Sequence, residues 1–462
     1  MNNFQVISPI DGSVYVECQL HTKEEIEKAL AVAKNAQKLW RNISVAERKS
    51  YIEKFAIALE GIKDKISEEL TRQMGRPINH TPFEVRGTIE RTNGMLELAE
   101  SSLADILVDE IPGFNRYIKK EPLGTVFVVP AWNYPFLIAV NTIVPALLAG
   151  NAVILRHSAQ TPLVAERFAE AFKAAGLPEG LFQYLHLSHA DTADVIRDER
   201  INFVSFTGSV SGGHQIQKVA AERFVGLGLE LGGKDPAYVC EDSDLDFVVE
   251  NLVDGAFFNA GQSCCGIERI YVHEKIYDQF VEGFVELTKK YKLGNPLDKD
   301  TNIGPVAKKG GAKTVIDQIE AAVKAGGRAL IDPKLFPQTE MGYNYLAPQV
   351  LVDVDHSMEI MTEESFGPVV GIMKVKNDEE ALALMNDSEY GLTASIWTKD
   401  EDKAIEIGNK VETGTWFMNR CDYLDPYLPW VGVKNTGRGC SLSQVGYDQL
   451  TRPKSYHLRV KI

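Results

Sequence analysis

The sequence predicts an α/β protein in which a doubly wound parallel sheet is interwoven with a second α/β region and a small β ribbon. From residue 125 onward, short apolar or β-branched runs alternate with helix patterns at intervals of about 25 residues. A second alternation of the same kind begins near Gly232. The stretch 455–462 alternates apolar and basic residues, which is typical of an edge strand. These three observations indicate two sheets and one ribbon.

Helices and strands follow from these patterns in chain order. The first helix begins at Thr22, which is spaced from Glu25 as a capping box. Further helix patterns cover 46–69, 83–101, 161–175, 244–258 and 275–292. Strand patterns cover 125–129, 152–155, 182–187, 202–206, 237–240, 269–273, 368–375 and 394–398. The last strand is expected to pair with 116–120. The pair would form either a protruding ribbon that binds a partner or a surface hairpin without one.

Length and composition exclude several classes of protein. The chain has 462 residues, 44% of them hydrophobic and 24% charged, which is the composition of an ordinary soluble globular protein of two or three domains. No repeat, low-complexity tract or long linker separates those domains, so we expect them to be interwoven. Lys and Arg number 49 against 64 Asp and Glu. An acidic field of this kind repels phosphate backbones and anionic lipids, so nucleic acid and membrane surfaces are not expected partners.

Targeting and metal signals are weak as well. The most apolar stretch, 136–149, is interrupted by Asn141 and Pro145 and is shorter than the roughly 20 residues that a membrane span needs. The first residues lack the basic and apolar regions of a secretory signal. Six cysteines are too few for a disulfide framework, and neither they nor the nine histidines are spaced as metal ligands. We therefore expect a cytoplasmic protein without a metal site.

Two segments carry groups suited to nucleophilic catalysis. Segment 259–266 reads NAGQSCCG and places Cys264 among glycines just beyond a helix. A cysteine attacks as the thiolate, which needs a lowered pKa or a nearby base; a buried structural cysteine fits the same letters. Segment 229–234 reads LELGGK, in which Glu230 lies between leucines. Apolar surroundings raise a carboxyl pKa and suit it to general-base work, whereas an ion pair with Lys234 is the structural alternative.

Three further segments are suited to holding a charged or flat ligand. Segment 130–135, PAWNYP, offers the amide N–H groups of Asn133 to a developing oxyanion, although an Asn in a turn is often only a cap. Segment 206–213, FTGSVSGG, is a glycine-rich helix start of the kind that binds phosphate, but it is not the dinucleotide fingerprint. Segment 363–368, EESFGP, combines a carboxylate for sugar hydroxyls with an aromatic ring, and could equally be a helix end.

Together and in this order, these five segments resemble the aldehyde dehydrogenase superfamily over nearly the whole chain. The resemblance implies that Cys264 is the nucleophile and that Cys265 occupies an accessory position. It implies Glu230 as general base and Asn133 as oxyanion donor, helped by the backbone N–H of Cys264. The implied reaction is oxidation of an aldehyde by NAD or NADP through a cysteine thioester, which water then releases as the carboxylic acid.

The resemblance also implies cofactor contacts and a domain plan. The implied cofactor-binding residues are Trp132 and Ser209 at the phosphates, Gly208 beside them, and Glu364 and Phe366 at the nicotinamide ribose and ring. The implied domains are a Rossmann-like cofactor domain at 1–102 and 123–232, a catalytic domain at 233–433, and oligomerisation segments at 103–122 and 434–462. Members of the superfamily form dimers or tetramers, so we expect a homodimer or homotetramer.

The chain departs from the family pattern at two positions. One affects the choice between NAD and NADP, and the other lies near the path of the water that hydrolyses the thioester. Where many members have Lys followed three residues later by Glu at the adenosine ribose, this chain has Arg156 and Ala159. Loss of that carboxylate removes repulsion against a 2′-phosphate, and Arg156 with His157 could attract one, so use of NADP is expected beside or instead of NAD. The frequent Gly-Arg-Glu near the end of the chain reads GRG here, with Gly439 in place of the carboxylate.

The class of substrate is predicted from two arginines that this chain lacks. Members similar to succinate semialdehyde dehydrogenase carry two arginines at the positions of Phe258 and Asn141, so the usual clamp for a substrate carboxylate is missing. The loop 420–429 is aromatic and contains Asp422 and Asp425, which suit a cation unless they simply face water. We therefore expect a neutral or cationic aldehyde rather than a semialdehyde carboxylate.

Three other functions fit parts of the same sequence. A CoA-acylating member would deliver the thioester to CoA, but such members commonly lack the base that Glu230 supplies. A cysteine hydrolase would pair Cys264 with a histidine such as His273 and would turn over without nicotinamide. A catalytically silent scaffold would not need the nucleophile, base and oxyanion donor that are all present.

Overall fold

The computed structural model describes residues 3–461 and contains three main sheets with helices packed around them. The helices are α1 Lys23–Trp40, α2 Val45–Gly61, α3 Lys63–Met74, α4 Thr81–Leu103, α5 Pro135–Leu148, α6 Leu163–Ala174, α7 His189–Arg197, α8 Val210–Ala220, α9 Leu245–Phe257, α10 Tyr277–Thr288, α11 Lys309–Lys324, α12 Glu359–Thr362, α13 Asp378–Asn386, α14 Glu401–Gly408 and α15 Ser443–Gln449. The strands are β1 Asn3–Ile7, β2 Val14–Gln19, β3 Ile106–Leu107, β4 Phe114–Pro122, β5 Thr125–Val129, β6 Ala152–Leu155, β7 Phe182–Tyr184, β8 Ile201–Thr207, β9 Gly226–Glu230, β10 Asp235–Val239, β11 Ile267–His273, β12 Arg328–Ala329, β13 Gln349–Val352, β14 Val369–Val375, β15 Thr393–Trp397, β16 Thr415–Met418, β17 Gly437–Arg438 and β18 Thr451–Arg459.

The first large sheet has the strand order β17-β9-β8-β5-β6-β7, and all neighbours are parallel except the edge pair β17 and β9. Its inner strands are apolar on both faces because helices cover both sides of such a sheet. In the register, Phe127 lies opposite Ile154 on one side and Val204 on the other. The chain runs outward from β5 to β6 and β7, and later from β8 to β9 in the opposite direction. The loops after β5 and β8 therefore meet at a topological switch point, where such sheets bind ligands.

The second sheet has the order β12-β13-β14-β11-β10-β15-β16 and is parallel except for β12. Its central strands β10 and β11 are completely buried. The loop that precedes β11 carries the cysteine pair, and the loop that precedes β14 carries segment 363–368. Two parallel sheets with covering helices confirm the predicted α/β fold class.

The ribbon is a three-stranded antiparallel sheet in the order β18-β4-β3. All nine residues of β18 pair with β4, from Thr451 opposite Pro122 to Arg459 opposite Phe114. The predicted pairing of the chain end with 116–120 is therefore present, although β18 begins earlier than predicted and residue 462 lies outside the described part. Of the segment 434–462, only the end lies in the ribbon, because β17 joins the first sheet beside Glu230 and α15 packs on α4.

Two element predictions need correction. The helical region predicted over 46–69 is two helices, because Ile62 leaves helical geometry and Lys63 starts α3 in a new direction. The strand predicted over 182–187 ends at Tyr184, since the backbone N–H of His186 is taken by the ring of His21 rather than by a neighbouring strand. The capping box at Thr22 and Glu25 is formed as predicted. Across residues 3–461, no helix combines the length and apolar character needed to cross a membrane.

Candidate active site

Cys264 lies on a loop whose backbone is bent sharply at the end of α9. Asn259 and Ala260 have φ of 53° and 54°, and Gly261 follows with φ of 70°. A Cβ atom at Gly261 would collide with the backbone carbonyl of Gly367, so this close approach requires glycine. The side-chain amide of Gln262 closes the loop by accepting from the backbone N–H of Ala307 (2.8 Å) and donating to the carbonyl of Asn259 (2.9 Å). The loop is thus held rigidly from both sides.

Two cavities meet at Cys264, which lines both of them. One has a volume of about 370 Å³ and is also lined by Glu230, Tyr134 and Trp430. The other has a volume of about 380 Å³ and is also lined by Asn133. The Cys264 side chain is partly exposed, whereas Cys265 is buried. One reactive sulfur can therefore face ligands that approach from two directions.

Cys265 differs from Cys264 because its thiol is buried and hydrogen-bonded. Its thiol donates to Asp422 Oδ1 at 2.9 Å, and the same oxygen accepts from the hydroxyl of Ser263 at 2.9 Å. A hydrogen bond with Cys264 and burial raise the pKa of Cys265 well above that of a free thiol, so it stays protonated. Asp422 is therefore engaged by the cysteine loop and does not simply face water. Asp425 lies away from both cavities and accepts from the backbone N–H of Tyr427.

Asn133 follows β5 at the switch point and is 2% exposed. Its side-chain Nδ2 donates to the carbonyl of Gln262 at 3.3 Å, which ties it to the cysteine loop. An amide carries two N–H groups, so one remains for another acceptor. The backbone carbonyl of Asn133 accepts from Asn259 Nδ2 at 3.3 Å and from the guanidinium of Arg76. Hydrogen bonds to both the side chain and the backbone thus fix the position of this amide.

Arg76 and Glu84 form a buried ion pair behind Asn133 that the sequence motifs do not reveal. Arg76 also donates from Nε to Asn259 Oδ1 at 3.1 Å. Glu84 Oε1 accepts from the backbone N–H of Phe136 at 2.9 Å, at the amino end of α5. A carboxylate there satisfies helix donors that have no partner within the helix and complements the helix dipole. The pair therefore connects α4, α5 and the cysteine loop.

Glu230 is the last residue of β9, beside the first cavity. Its Oε1 accepts from the Ser441 hydroxyl at 2.6 Å, and its Oε2 lies 3.5 Å from the hydroxyl of Thr207. Desolvation inside the protein raises the pKa of Glu230, and the hydrogen bond from Ser441 opposes that rise. Lys234 is not its partner, because the Lys234 ammonium pairs with Glu268 at 2.6 Å. This rules out the alternative of a Glu230–Lys234 ion pair.

A third, much smaller cavity lies behind Glu230. Its volume is about 20 Å³, which is room for a single water molecule. Ser441, Gly439 and Cys440 line it together with Glu230. Gly439 has φ of 90°, and a Cβ there would lie 3.1 Å from Gly228 Cα. A longer residue at this position would be strained on this backbone.

All six residues predicted to contact the cofactor line the second cavity; they are Trp132, Arg156, Gly208, Ser209, Glu364 and Phe366. Ser209 caps α8 by accepting from the Gly212 N–H at 3.2 Å, which leaves the helix amino end facing this cavity. Phe366 has φ of 50° and packs edge-on against Trp132 with ring centres 5.7 Å apart. Lys308 also lines the cavity, with its ammonium 5.4 Å from the Trp132 ring centre, and was not predicted.

The carboxylate and aromatic ring of segment 363–368 are held by a second buried ion pair. Glu268 pairs with Lys234 and accepts from the backbone N–H groups of Ser365 and Phe366, each at 2.8 Å. Glu364 accepts from the Gly233 N–H at 3.1 Å. Burial, together with the nearby Glu268 carboxylate, raises the pKa of Glu364 to about 7. Glu268 follows Cys264 by four residues, but no motif marks it.

Arg156 and His157 point to different places. Arg156 lines the cavity and donates from Nη2 to the carbonyl of Leu187 at 3.3 Å, while its buried Nε has no partner among the described residues. His157 is buried, with Nε2 3.3 Å from the carbonyl of Pro135, and burial lowers its pKa to about 3. The expectation that His157 helps to attract a phosphate is therefore wrong, because the ring is neutral and faces the core. Ala159 is exposed and adds no carboxylate.

The first cavity, which Glu230 and Cys264 line, is also lined by apolar, amide and charged side chains. Phe258 and Asn141 line it at the positions that would carry a carboxylate clamp. The unpredicted Arg91 also lines it, and its Nη1 donates to the carbonyl of Leu137 at 2.7 Å and to Asn141 Oδ1 at 3.1 Å. Asp254 lines the cavity as well, and desolvation and the neighbouring Asp422 raise its pKa to about 6. No histidine of residues 3–461 lines either large cavity, and His273 lies buried in β11.

Comparison with known proteins agrees with this geometry. A sequence model of the aldehyde dehydrogenase family matches residues 1–456. An aldehyde dehydrogenase of Paenarthrobacter nicotinovorans is 34% identical over 461 residues, which cover 97% of this chain and 98% of the relative.

Two solved structures are similar along their whole length. A succinic semialdehyde dehydrogenase of Streptococcus pyogenes in complex with NADP⁺ has a TM-score of 0.93 and 29% identity, covering 99% of this chain and 100% of that one. A betaine aldehyde dehydrogenase of Staphylococcus aureus in complex with NAD⁺ also has a TM-score of 0.93 and 29% identity, and the match covers 100% of this chain and 92% of that one. The family model over nearly the whole chain and the relative at 34% identity show that the chain belongs to the aldehyde dehydrogenase family.

Proposed function

We propose that this aldehyde dehydrogenase forms the free carboxylic acid, with Cys264 as nucleophile, Asn133 as oxyanion donor and Glu230 as the base that activates water. The observation that carries the proposal is the position of Cys264 at the junction of two cavities, one lined by Glu230 and the other by Asn133. Nucleophile, base and donor come from three segments that are distant in sequence, and hydrogen bonds hold the Asn133 and Glu230 side chains in position. Such preorganised donors and bases are the main source of catalysis in acyl transfer.

The chemistry on the protein runs through two covalent states of Cys264. The thiolate sulfur bonds to the aldehyde carbon, and the carbonyl electrons move to oxygen, where the amide of Asn133 donates a hydrogen bond. NAD⁺ or NADP⁺, when bound in the second cavity, supplies the hydride acceptor. Re-formation of the carbonyl as the hydride leaves gives a thioester on Cys264. Glu230 then takes a proton from water, the water oxygen attacks the thioester carbon, and the carbon–sulfur bond breaks.

The second cavity has the donors that a dinucleotide needs. The amino end of α8, Arg156 and Lys308 suit phosphate groups, the Glu364 carboxylate suits ribose hydroxyls, and Phe366 suits a flat ring. The Arg156 side chain lines this cavity and Ala159 adds no carboxylate that would repel a 2′-phosphate, so we propose that NADP is used, alone or beside NAD. The two solved relatives do not decide this, because one holds NADP⁺ and the other NAD⁺.

For the substrate we propose a neutral or cationic aldehyde rather than a semialdehyde carboxylate. Phe258 and Asn141 occupy the clamp positions, and the Arg91 guanidinium is partly engaged by Asn141 and a backbone carbonyl. Asp254 and Asp422 line the same cavity and favour a cation over an anion. The two solved relatives act by name on succinic semialdehyde and on betaine aldehyde, so similarity alone does not choose between these charges.

We also propose the domain plan and assembly that the family implies. The cofactor domain would comprise 1–102 and 123–232, the catalytic domain 233–433, and the assembly segments 103–122 and 434–462, in a cytoplasmic homodimer or homotetramer. The exposed side chains of Ile106 and Leu107 on the outer strand of the ribbon support a partner there. No nucleic acid or membrane partner is proposed.

One panel of assays tests the reaction and its alternatives. Neutral, ammonium-bearing and carboxylate-bearing aldehydes of similar length are each offered with NAD⁺ and with NADP⁺, with and without CoA. We expect the highest kcat/KM for a neutral or ammonium-bearing aldehyde, with free acid as the product. Highest efficiency with succinate semialdehyde would refute the substrate proposal, a hundredfold preference for NAD⁺ would refute the NADP proposal, and an acyl-CoA product would refute the water route.

Variants complete the test. Cys264→Ala should abolish turnover, whereas Cys240→Ala, which removes a buried cysteine away from both cavities, should leave it unchanged. Glu230→Gln should release about one equivalent of reduced cofactor per site and then stop, because the thioester forms but is not hydrolysed. Turnover by Cys264→Ala, or ester hydrolysis without nicotinamide as the main activity, would overturn the assignment.

A further inference from the structure

A cluster of metal-ligating side chains lies outside the active site, where the hairpin of β1 and β2 packs on the first sheet. Cys18 lies on β2, Glu166 on α6, and His186 two residues after β7. The thiol sulfur, one carboxylate oxygen and one ring nitrogen all lie within 4.8 Å of one another. None of the three residues lines the cavities at Cys264. We propose that Cys18, Glu166 and His186 bind a divalent transition-metal ion, most readily Zn²⁺.

A ring nitrogen without a partner points to a ligand here. His186 is 7% exposed, and its buried Nε2 accepts or donates no hydrogen bond among the described residues. The nearest acid oxygen, Glu166 Oε1, is 3.6 Å away, beyond a good hydrogen bond. A buried unsatisfied polar atom is costly and is rare in native structures. A metal ion between the two side chains would remove that cost.

Neighbouring contacts hold the ring in this orientation. The His186 backbone N–H donates to Nδ1 of His21 at 3.0 Å, and the backbone N–H of His21 donates to the carbonyl of His186 at 3.0 Å. The ring of Phe4 packs edge-on against the His186 ring, with centres 5.7 Å apart. These contacts hold the backbone and the ring of His186, whose ligand nitrogen lies within 4.8 Å of the Glu166 and Cys18 ligand atoms, as outer contacts usually orient a metal-binding histidine.

The donor set selects the class of ion. Sulfur, imidazole nitrogen and carboxylate oxygen together suit Zn²⁺ and similar ions, whereas Mg²⁺ and Ca²⁺ prefer oxygen alone. Around tetrahedral zinc, such ligand atoms are about 3.3–3.8 Å apart, so the side chains would close by roughly an ångström. Three protein ligands leave the fourth position to water.

Charge and access are consistent with this ion. A thiolate, a carboxylate and a neutral imidazole balance the two positive charges of Zn²⁺, so the buried cluster becomes neutral. Without an ion, burial and the Glu166 carboxylate raise the pKa of Cys18 to about 11, so binding would release its proton to solvent. The Glu166 side chain is 32% exposed and provides a path from solvent. Its other oxygen lies 3.4 Å from the Arg167 guanidinium, which holds it in place.

Because these residues lie on three separate elements, the ion would fasten the β1–β2 hairpin to α6 and to the edge of the first sheet. The role is structural, since the cluster is separate from the active site. We expect Zn²⁺ to raise the temperature of unfolding and to leave the kcat of aldehyde oxidation unchanged.

The test measures metal content and stability of the full chain. Protein stripped with a chelator is equilibrated with a small excess of Zn²⁺, freed of unbound ion and analysed for zinc. We expect about one zinc per chain in the wild type, and roughly tenfold less or lower in Cys18→Ser and His186→Gln. Co²⁺ in place of Zn²⁺ should give a thiolate-to-metal absorption band that Cys18→Ser lacks.

Control variants separate this site from the catalytic thiols. Cys264→Ala should keep its zinc, and Cys240→Ser should keep both zinc and activity. Retained oxidation activity in His186→Gln shows that the variant is folded, so its loss of zinc reports on the site. The proposal is overturned when the wild type binds no zinc, or when His186→Gln binds as much as the wild type.

Discussion

Removing the Ser441 hydroxyl should move the pH dependence of thioester hydrolysis without damaging the active site at high pH. Ser441 is 7% exposed and donates to Glu230 Oε1 at 2.6 Å. This hydrogen bond stabilises the ionised carboxylate and opposes the rise in pKa that desolvation causes. A hydrogen bond to a charged group contributes about 1.5–3 kcal/mol. Ser441→Ala should therefore raise the pKa of Glu230 further above the ordinary value of a carboxyl group.

The sign of the effect follows from the role of Glu230. Only the ionised carboxylate can take a proton from water, so hydrolysis is fast above the pKa and falls as the pH drops through it. In Ser441→Ala the acid limb of the profile should therefore move to higher pH. At pH values below both pKa values the variant should be slower by about 10- to 100-fold, and at high pH the two rates should converge.

Stopped-flow kinetics isolates the step. The reduced cofactor forms before the thioester is hydrolysed, so the rate that follows the first burst reports on hydrolysis when a burst is present. Ser443→Ala is the matched control, because this neighbouring buried serine accepts from the Val445 N–H and does not contact Glu230. An unchanged acid limb in Ser441→Ala would refute the assignment of Glu230 as base. A uniform loss at every pH would show a structural effect instead.

Three further outcomes follow from buried charges. Glu84→Gln should lower the free energy of unfolding in urea by about 3–5 kcal/mol, because it leaves buried Arg76 without its counter-ion. The control Glu60→Gln, which breaks an exposed pair with Lys63, should lower the free energy of unfolding by about 1 kcal/mol or less. Arg156→Ala should lower kcat/KM for NADP⁺ relative to NAD⁺ by about tenfold or more, and an unchanged ratio would contradict its contact with a 2′-phosphate. The KM for cofactor should fall between pH 6 and 8 as Glu364 ionises near pH 7, and Glu364→Gln should make it flat.

The parts of the site that the sequence predicts are those that lie on loops directly after or before strands. Cys264, Glu230 and Asn133 each stand in a short segment with glycines or prolines beside a strand pattern. That these three segments meet was implied by their resemblance to the aldehyde dehydrogenase family, whereas the strand pattern alone predicted only that ligands bind at the carboxyl ends of the strands. The resemblance likewise implied that Ser209 and Glu364 contact the cofactor, and both line one cavity.

The residues that hold the site were not predictable in this way. Arg76 reaches Asn133 across 57 positions, and Ser441 reaches Glu230 across 211. Glu268 supports the loop of Phe366 from 98 positions away. Their partners are set by tertiary packing, and no local pattern of polarity distinguishes a buried Arg or Glu from an exposed one. The prediction that His157 helps to attract a phosphate was wrong for the same reason. Arg156 faces the cavity, whereas the ring of the next residue, His157, is packed in the core.

The replacement at 439 makes Ser441 more important than the family pattern suggests. Gly439 and Ser441 both line the small cavity behind Glu230, where many members have a carboxylate at the first position. The φ of 90° at Gly439 and the closeness of Gly228 leave no unstrained place for such a side chain. A second carboxylate would repel the charge on Glu230 and raise its pKa, whereas the hydroxyl of Ser441 stabilises that charge. In the proposed mechanism the hydroxyl of Ser441 therefore lowers the pKa of the base, together with the charge of Arg91 and the hydroxyl of Thr207.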